Sequence, residues 1–515
     1  MIVYFFSESL PRFFRWLYAL FCDSALCRFC ARAWHAVVRA ASNSLILGGL
    51  FERADEGAKT SGSRIMGAID RFVAWIVKIL RKVIGALTFG SFSCIFTRIL
   101  AKLRELYTFL DYEFFTGICI CFIILCPGER WSNVYGLVIS LVLLVVLLIL
   151  QAAGKRDRIS ISCIGAAFFA FLVSTAAGVL TASNRADALR VSIFFFTSFI
   201  IAIDIAATAT DPKKLKKILG FIYAAVVATS LYAFYQRAMG VEVSASLTDL
   251  TLNAAMPGRV FSTFENPNNY AEFLILTIPM CVAFCSMLKR SWTAFVAWVL
   301  AFLPVAALLM TYSRSGWVSF AIAAVVFVFL YNKKLIPALI LVGILAVPLL
   351  PSSVMARIST IGSTDDSSNM YRIYIWEGVL KMLRANWFTG IGLGPESFRE
   401  LYITVCNPRA TPAPHSHMLF LEIWLEQGLV GIVTYFAMVF SAIRRSVIAM
   451  KYADKGARIT LIAGVSSLCG IAFASAAEYI WFYPRVMVTY FMVLGVLYAC
   501  INISRAGRQT MKIED

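Results

Sequence analysis

The chain is 515 residues long, 60% of them hydrophobic and only 15% charged, with a mean hydropathy of +0.78. No soluble core is large enough to hide that much apolar surface, so the composition excludes a soluble enzyme and points to a polytopic membrane protein. A formal charge of +18 raises nucleic acid as a partner, but the Lys and Arg residues sit in short segments between apolar runs and in the N-terminal arm, which is the positive-inside pattern of a membrane protein and not a nucleic-acid footprint.

Residues 1–110 form an arm of their own, with 15 Lys and Arg against 7 Asp and Glu among many Phe and Trp. Glu8 and Pro11 interrupt its start, so no signal peptide is expected. Cys22, Cys27, Cys30 and His35 do not follow a zinc spacing and read as buried or interfacial thiols. Over Arg71 to Phe89, the residues Phe72, Trp75, Ile76, Ile79, Leu80, Val83 and Leu87 recur at helical spacing among Arg71, Lys78, Arg81 and Lys82. That is the pattern of an amphipathic helix on an anionic membrane surface. Packing of such a helix on the membrane domain is the competing reading.

From about residue 112 the expected architecture is all-α, with about twelve membrane spans of about 20 residues each. Their centres fall near Cys119, Leu143, Phe169, Ile200, Val226, Thr277, Phe302, Val325, Leu345, Phe436, Gly470 and Met492. The unit runs over 111–505, followed by a tail at 506–515. Charge orients it. The segments 155–158, 213–217, 289–290, 333–334, 444–458 and the tail after Ser504 carry 19 Lys and Arg, whereas the two long alternate loops, 237–268 and 352–414, balance eight basic against eight acidic residues. Both termini are therefore expected in the cytoplasm and the long loops outside the cytoplasmic (inner) membrane.

The loop at 352–414 is the longest, and long loops on a bundle carry function more often than connection. Asp365-Asp366 within it reads as solvated loop or helix cap, not metal. Ile373, Trp376, Val379, Leu380 and Leu383 then predict one apolar face of a helix lying along the membrane surface or over the bundle, with Arg372 opening that helix. Gly390-Ile391-Gly392-Leu393-Gly394 looks like a dinucleotide fingerprint, yet no strand is expected before it and no helix is expected to open cleanly after it. Its glycines are read as places of sharp turning or close backbone approach. Cys406 is the one cysteine of the outer loops, and no structural disulfide is expected.

The chemistry-bearing residues collect on the outer side. Two of the three histidines, His415 and His417, stand at the end of this loop in Pro412-Ala413-Pro414-His415-Ser416-His417. Arg259 sits in Pro257-Gly258-Arg259-Val260-Phe261, Arg314 at the turn between two apolar runs, and Arg372 in the loop. A guanidinium presents a planar fork of donors that matches phosphate oxygens. The plainer reading of each arginine alone is snorkelling toward lipid phosphate.

Taken together, these segments resemble the bacterial O-antigen ligase family. Arg-Val-Phe-Ser-Thr-Phe-Glu-Asn-Pro-Asn-Asn-Tyr over 259–270 looks like its outer-loop signature, and Tyr312 to Trp317 is similar to its next motif. Arg372 to Trp376, Gly390 to Phe398 and His415 to Gly431 resemble the block that closes the signature region. The likeness spans about 110–500, and the arm before 110 has no counterpart in it. The resemblance implies an enzyme that takes a glycan from an undecaprenyl-diphosphate carrier and passes it to a glycan, lipid or protein acceptor, with no metal and no cofactor. It further implies that Arg259, Arg314 and Arg372 cradle the donor diphosphate and that His417 is the general base, with His415 beside it. Where many members have His-Asn, this chain has His417-Met418. A transporter or flippase of lipid-linked saccharide is the other class to weigh. Paired charges at mid-membrane and repeated halves would mark it, and the sequence has no convincing repeat.

Overall fold

A computed structural model describes residues 64–89, 111–152, 164–241, 258–359, 367–411 and 413–514, together with Ala19 and Arg32. The cysteine and histidine group at 22–35 and the Asp365-Asp366 pair lie outside the described residues. Every regular element among those described is helical. In chain order they are α1 (Arg64–Phe89), α2 (Tyr112–Leu125), α3 (Asn133–Ala152), α4 (Ala166–Thr181), α5 (Arg185–Thr208), α6 (Pro212–Met239), α7 (Pro267–Ser286), α8 (Trp292–Leu300), α9 (Leu303–Met310), α10 (Arg314–Asn332), α11 (Ile336–Ala346), α12 (Ser352–Ser359), α13 (Ser367–Asn386), α14 (Pro395–Val405), α15 (Leu419–Ala449), α16 (Lys455–Ser475) and α17 (Pro484–Glu514).

Helix starts follow local chemistry. Asp111, Asn184, Asp211, Asn266, Ser291, Ser313 and Asp454 each accept a first-turn backbone N–H through the side chain. Such a cap satisfies donors that have no intrahelical partner. Pro212 and Pro267 add a pre-set φ at the first helical position, where the missing N–H costs nothing.

Nine helical stretches among the described residues are long and apolar enough to span a membrane. This is an integral membrane protein. The count differs from twelve for a visible reason. The expected spans at Cys119 and Phe169 form the shorter α2 and α4, of 14 and 16 residues. Those at Val325 and Leu345 fall in one stretch, Arg314–Ala346, interrupted only by the 3-10 turn Lys333–Leu335. Every expected centre but Phe302 nevertheless lies in a helix, and Phe302 falls in the turn between α8 and α9 within the one apolar stretch Trp292–Met310.

The core is aromatic where α4, α5 and α17 meet. Phe168 packs edge-on against Phe199 at 5.1 Å, Phe199 against Phe491 at 4.9 Å, and the indole of Trp481 against Phe195 at 5.7 Å. Edge-to-face geometry suits rings whose faces are negative and edges positive. This packing brings the N-terminal ends of α5, α7, α10, α15 and α17 and the C-terminal ends of α2, α6, α9 and α16 to one end of the bundle, under α12, α13 and α14.

The arm contributes α1, which begins seven residues before the expected start. It packs on α3, with Val77 buried, and Arg81 Nε donates to the Ala152 carbonyl at 3.1 Å. Phe72, Trp75, Ile79 and Val83 remain exposed, with Phe72 and Trp75 stacked at 5.9 Å. In α13 the expected apolar face divides. Val379 and Leu383 are buried with Ile375 and Met382, whereas Ile373 and Leu380 face outward. The helix is two-sided because Phe398 and Tyr402 of α14 cover one stripe and nothing described covers the other.

Candidate functional site

The site is assembled from six segments that are far apart in sequence. The first is the turn at 258–266 leading into α7. It is buried between helix ends because its backbone is well supplied with partners. Gln236 Oε1 accepts from Ser262 N at 2.8 Å, Thr263 Oγ1 donates to the Ile124 carbonyl at 2.9 Å, and Val260 N reaches the Met310 carbonyl at 3.3 Å. Arg485 clamps it from α17. Its guanidinium is 1% exposed, lies over the Phe264 ring at 4.7 Å, and donates to the carbonyls of Thr263 and Cys126 and to Glu265 Oε1.

Arg259 projects from this turn and is buried. Its Nε donates to the Thr311 carbonyl at 2.8 Å and its Nη2 to Asn268 Oδ1 at 2.5 Å. Asn268 bridges onward, with Nδ2 donating to Glu478 Oε1 at 3.2 Å. Glu478, between α16 and α17, pairs with the Arg372 guanidinium through the same oxygen, and its Oε2 lies 3.6 Å from His417 Nδ1. So Arg259, Arg372 and His417, three of the five expected residues, meet around one carboxylate and one amide. His415 joins them through ring contact with His417 at 4.2 Å.

Arg314 occupies the first position of α10, after the capping Ser313. Its neighbour Tyr312 holds φ +51 and places its hydroxyl 3.0 Å from Ser353 Oγ of α12. That contact brings α12 to this corner, and with it the buried Arg357. The electrostatics are those of a cation cluster. Burial holds the Arg259 pKa down to about 9; Arg357, Arg314 and Arg372 push the same way, and Glu478 opposes them. Burial would raise the Glu478 pKa, but Arg372, with His417 and His415, overcomes this and holds it down to about 2. Among the described residues, Arg357, Arg314 and Arg372 thus gather with Arg259 around Glu478, a cluster of cations suited to an anion.

The two histidines are not equivalent. His415 is buried against Phe482 at 4.5 Å and Tyr479 at 5.4 Å, and burial, reinforced by His417, lowers its pKa to about 3. His417 is more open, with 23% of its side chain exposed, and it stacks edge-on to Tyr371 at 6.0 Å. Its backbone is left-handed at φ +52, and the other non-glycine residues of positive φ among those described are Ser262 and Tyr312. All three lie in the segments that build this site, which is where strained backbone tends to persist.

The glycine run has a structural role. Contrary to expectation, α14 opens directly after it. Its amides are nonetheless committed, since Ile391, Gly392 and Leu393 donate to the carbonyls of Leu425, Glu426 and Gly178, and Gly394 donates to Glu426 Oε1. A phosphate has no free N–H nest to enter. Gly428 kinks α15 at φ +67, and a Cβ there would sit 2.1 Å from the Phe388 carbonyl oxygen. This close seating fixes the outer loop on the bundle and thereby the position of His417 at its end.

Sequence reading missed three contributors. Asn268 lies inside the 259–270 motif, Arg357 in the outer loop and Glu478 near a span, and the sequence alone gives none of them a role. An acid immediately before the aromatic run Tyr479-Ile480-Trp481-Phe482-Tyr483 was the available signal. Arg372 lies in the second turn of α13 and does not open it, since the helix begins at Ser367.

Comparison with known proteins bears on this segment of the chain. The family model described as O-antigen ligase matches residues 277–436, which include Arg314, Arg357, Arg372, His415 and His417. Over 252 residues the chain is 23% identical to a ComP-specific O-oligosaccharyltransferase of Acinetobacter baylyi (strain ATCC 33305 / BD413 / ADP1). That match covers 47% of this chain and 44% of the relative, so it spans under half the length of either.

Proposed function

This chain carries an O-antigen ligase domain at residues 277–436, and we propose that it is a membrane glycosyltransferase moving a glycan from an undecaprenyl-diphosphate carrier to an acceptor hydroxyl. The observation that carries the reading is the meeting of Arg259, Arg372 and His417 around Glu478 and Asn268, beside Arg314 and Arg357. In the proposed reaction His417 takes the proton of the acceptor hydroxyl as the oxygen attacks the donor sugar's anomeric carbon. The bond from that carbon to the phosphate oxygen breaks, and the carrier diphosphate leaves with the electron pair. A neutral imidazole nitrogen carries the lone pair that accepts such a proton. The arginines stabilise charge developing on the diphosphate, the contribution that oriented cations make to a transition state. They supply the positive charge for the leaving group, so the reading requires no metal.

The charge bias of the connecting segments supports placing the site on the outer face of the cytoplasmic membrane, with both termini inside. The acceptor is a glycan, lipid or protein that reaches this face. Residues 1–110 are then a cytoplasmic, membrane-surface extension on the unit at 111–505, with 506–515 a short tail. The exposed stripe Phe72, Trp75, Ile79 and Val83 of α1, flanked by Arg71, Lys78 and Lys82, supports contact with anionic lipid. Purified protein given a polyprenyl-diphosphate-linked oligosaccharide and an acceptor should release polyprenyl diphosphate in step with glycan transfer. Movement of the lipid-linked saccharide across vesicles without transfer would replace this reading with a transporter.

A further inference from the structure

His415 and His417 are two residues apart, their rings are 4.2 Å apart, and only one of them is open enough to meet a substrate. A second base, a proton shuttle and a structural filler are the roles open to the other. The hydrogen bonds decide between them.

The His417 backbone N–H donates to His415 Nδ1 at 3.1 Å. This bond spans residues i and i+2, the geometry by which an aspartate or asparagine side chain caps its own turn. An imidazole nitrogen that accepts must carry a lone pair, so in neutral His415 the proton is on Nε2. A protonated His415 would lose the bond altogether. The ring is buried and wedged between Phe482 and Tyr479, which fixes where Nδ1 points.

The residues on either side are held independently. Ser416 N donates to Glu422 Oε2 at 2.7 Å, the Ser416 carbonyl accepts from Trp376 Nε1 at 3.0 Å, and Leu419 N donates to the Glu478 carbonyl at 3.3 Å. His417 itself stands at φ +52, a conformation that costs a non-glycine residue free energy unless its surroundings impose it. The bond to His415 Nδ1 engages the N–H of that same strained residue.

We propose that His415 is a positioning residue, a latch whose Nδ1 holds the His417 backbone in the left-handed conformation that sets its imidazole against Glu478. This rests on the reading of His417 as the base, and it assigns His415 no proton transfer of its own. The latch is a feature of the unprotonated ring and is released if His415 is protonated.

Asparagine and glutamine separate the two nitrogens, because Asn Oδ1 stands where Nδ1 does and the Gln side chain reaches the position of Nε2. Full-length protein with His415→Asn, His415→Gln or His415→Ala is assayed for transfer across pH, for donor binding, and for deuterium exchange at the His417 amide. The expected result is turnover within about threefold for His415→Asn, and a loss of about ten- to a hundredfold for Gln and Ala, the rate equivalent of the strain cost. Donor binding should be unchanged, the His417 amide should stay protected only in His415→Asn, and above about pH 5, where the buried His415 ring with its pKa of about 3 stays unprotonated, the pH profile of that variant should match that of the unaltered protein. Activity kept in His415→Gln and lost in His415→Asn would show that Nε2 matters and overturn the latch. Equal losses in all three, a missing limb in the His415→Asn profile, or exchange that ignores the substitution would overturn it too. His417→Ala, run alongside, tests the base reading separately. Normal turnover there removes the base while leaving the exchange pattern to judge the latch.

Discussion

Glu478 joins Arg372 through Oε1 and stands 3.6 Å from His417 Nδ1 through Oε2, so one carboxylate faces the expected phosphate-binding group and the expected base at once. A base oriented by an acid is a recurring arrangement in hydroxyl activation. The acid fixes the ring and stabilises the cation that forms when the proton arrives.

Replacing Glu478 by Gln keeps the size and a hydrogen-bonding oxygen but removes the charge. Turnover should fall by about ten- to a hundredfold, within the range of general-base effects. Donor binding should hold or tighten, since a negative charge leaves the arginine cluster. Turnover unchanged from that of the parent would mean that Glu478 only anchors α13 through Arg372.

Arg314→Lys keeps a cation at the start of α10 but loses the planar two-point contact with phosphate. Transfer should fall at least tenfold with protein level near normal, measured on matched amounts of purified protein. Full activity would make Arg314 a point charge or a headgroup anchor.

Acid should loosen the site in two stages. The folded pKa of His415 lies near 3, below the value of about 6.5 for a free histidine, so the unfolded chain binds more protons between those limits. Stability therefore rises with pH across that window and is lost as pH falls below about 6.5. Glu478, held near 2, adds a loss in the same direction only below about 4.5. Thermal unfolding in detergent should show a decline from pH 7.5 to pH 5 worth on the order of 1–2 kcal/mol. His415→Asn should flatten that decline and Glu478→Gln should not. A decline equally steep in His415→Asn would place the sensitive group elsewhere.

The orientation is open to labelling. In a variant stripped of its native cysteines, a cysteine at the exposed Arg399 of α14 should react with an impermeant reagent in intact cells. One at the exposed Lys451, between α15 and α16, should react only after the membrane is opened. The reverse pattern would put the site on the cytoplasmic side.

Much of the fold was legible because apolar length is a local property, and eleven of the twelve expected span centres lie in a helix. The division of the α13 face was not legible, because the stripe that is buried depends on Phe398 and Tyr402 of another helix. The arginines and His417 were legible as residue types gathered at one side of the membrane. Their mutual geometry was not. Glu478 lies 61 positions beyond His417, and Asn268 reaches it only because α7 and α16 pack side by side. The unequal burial of His415 and His417 also escaped the sequence, since the Tyr479 and Phe482 rings that enclose His415 come from a later segment.

The most direct test of the account is single-turnover transfer by His417→Ala, with binding of the polyprenyl-diphosphate donor measured on the same preparation. If His417 removes the acceptor proton, the rate should drop by about 10²–10⁴-fold. The donor should bind as before, because Arg259, Arg314 and Arg372 are untouched, and added divalent metal should not restore the rate. Near-normal transfer by the purified variant would contradict the central claim. Loss of donor binding in a folded variant would contradict it as well, by making His417 a binding residue and not a base.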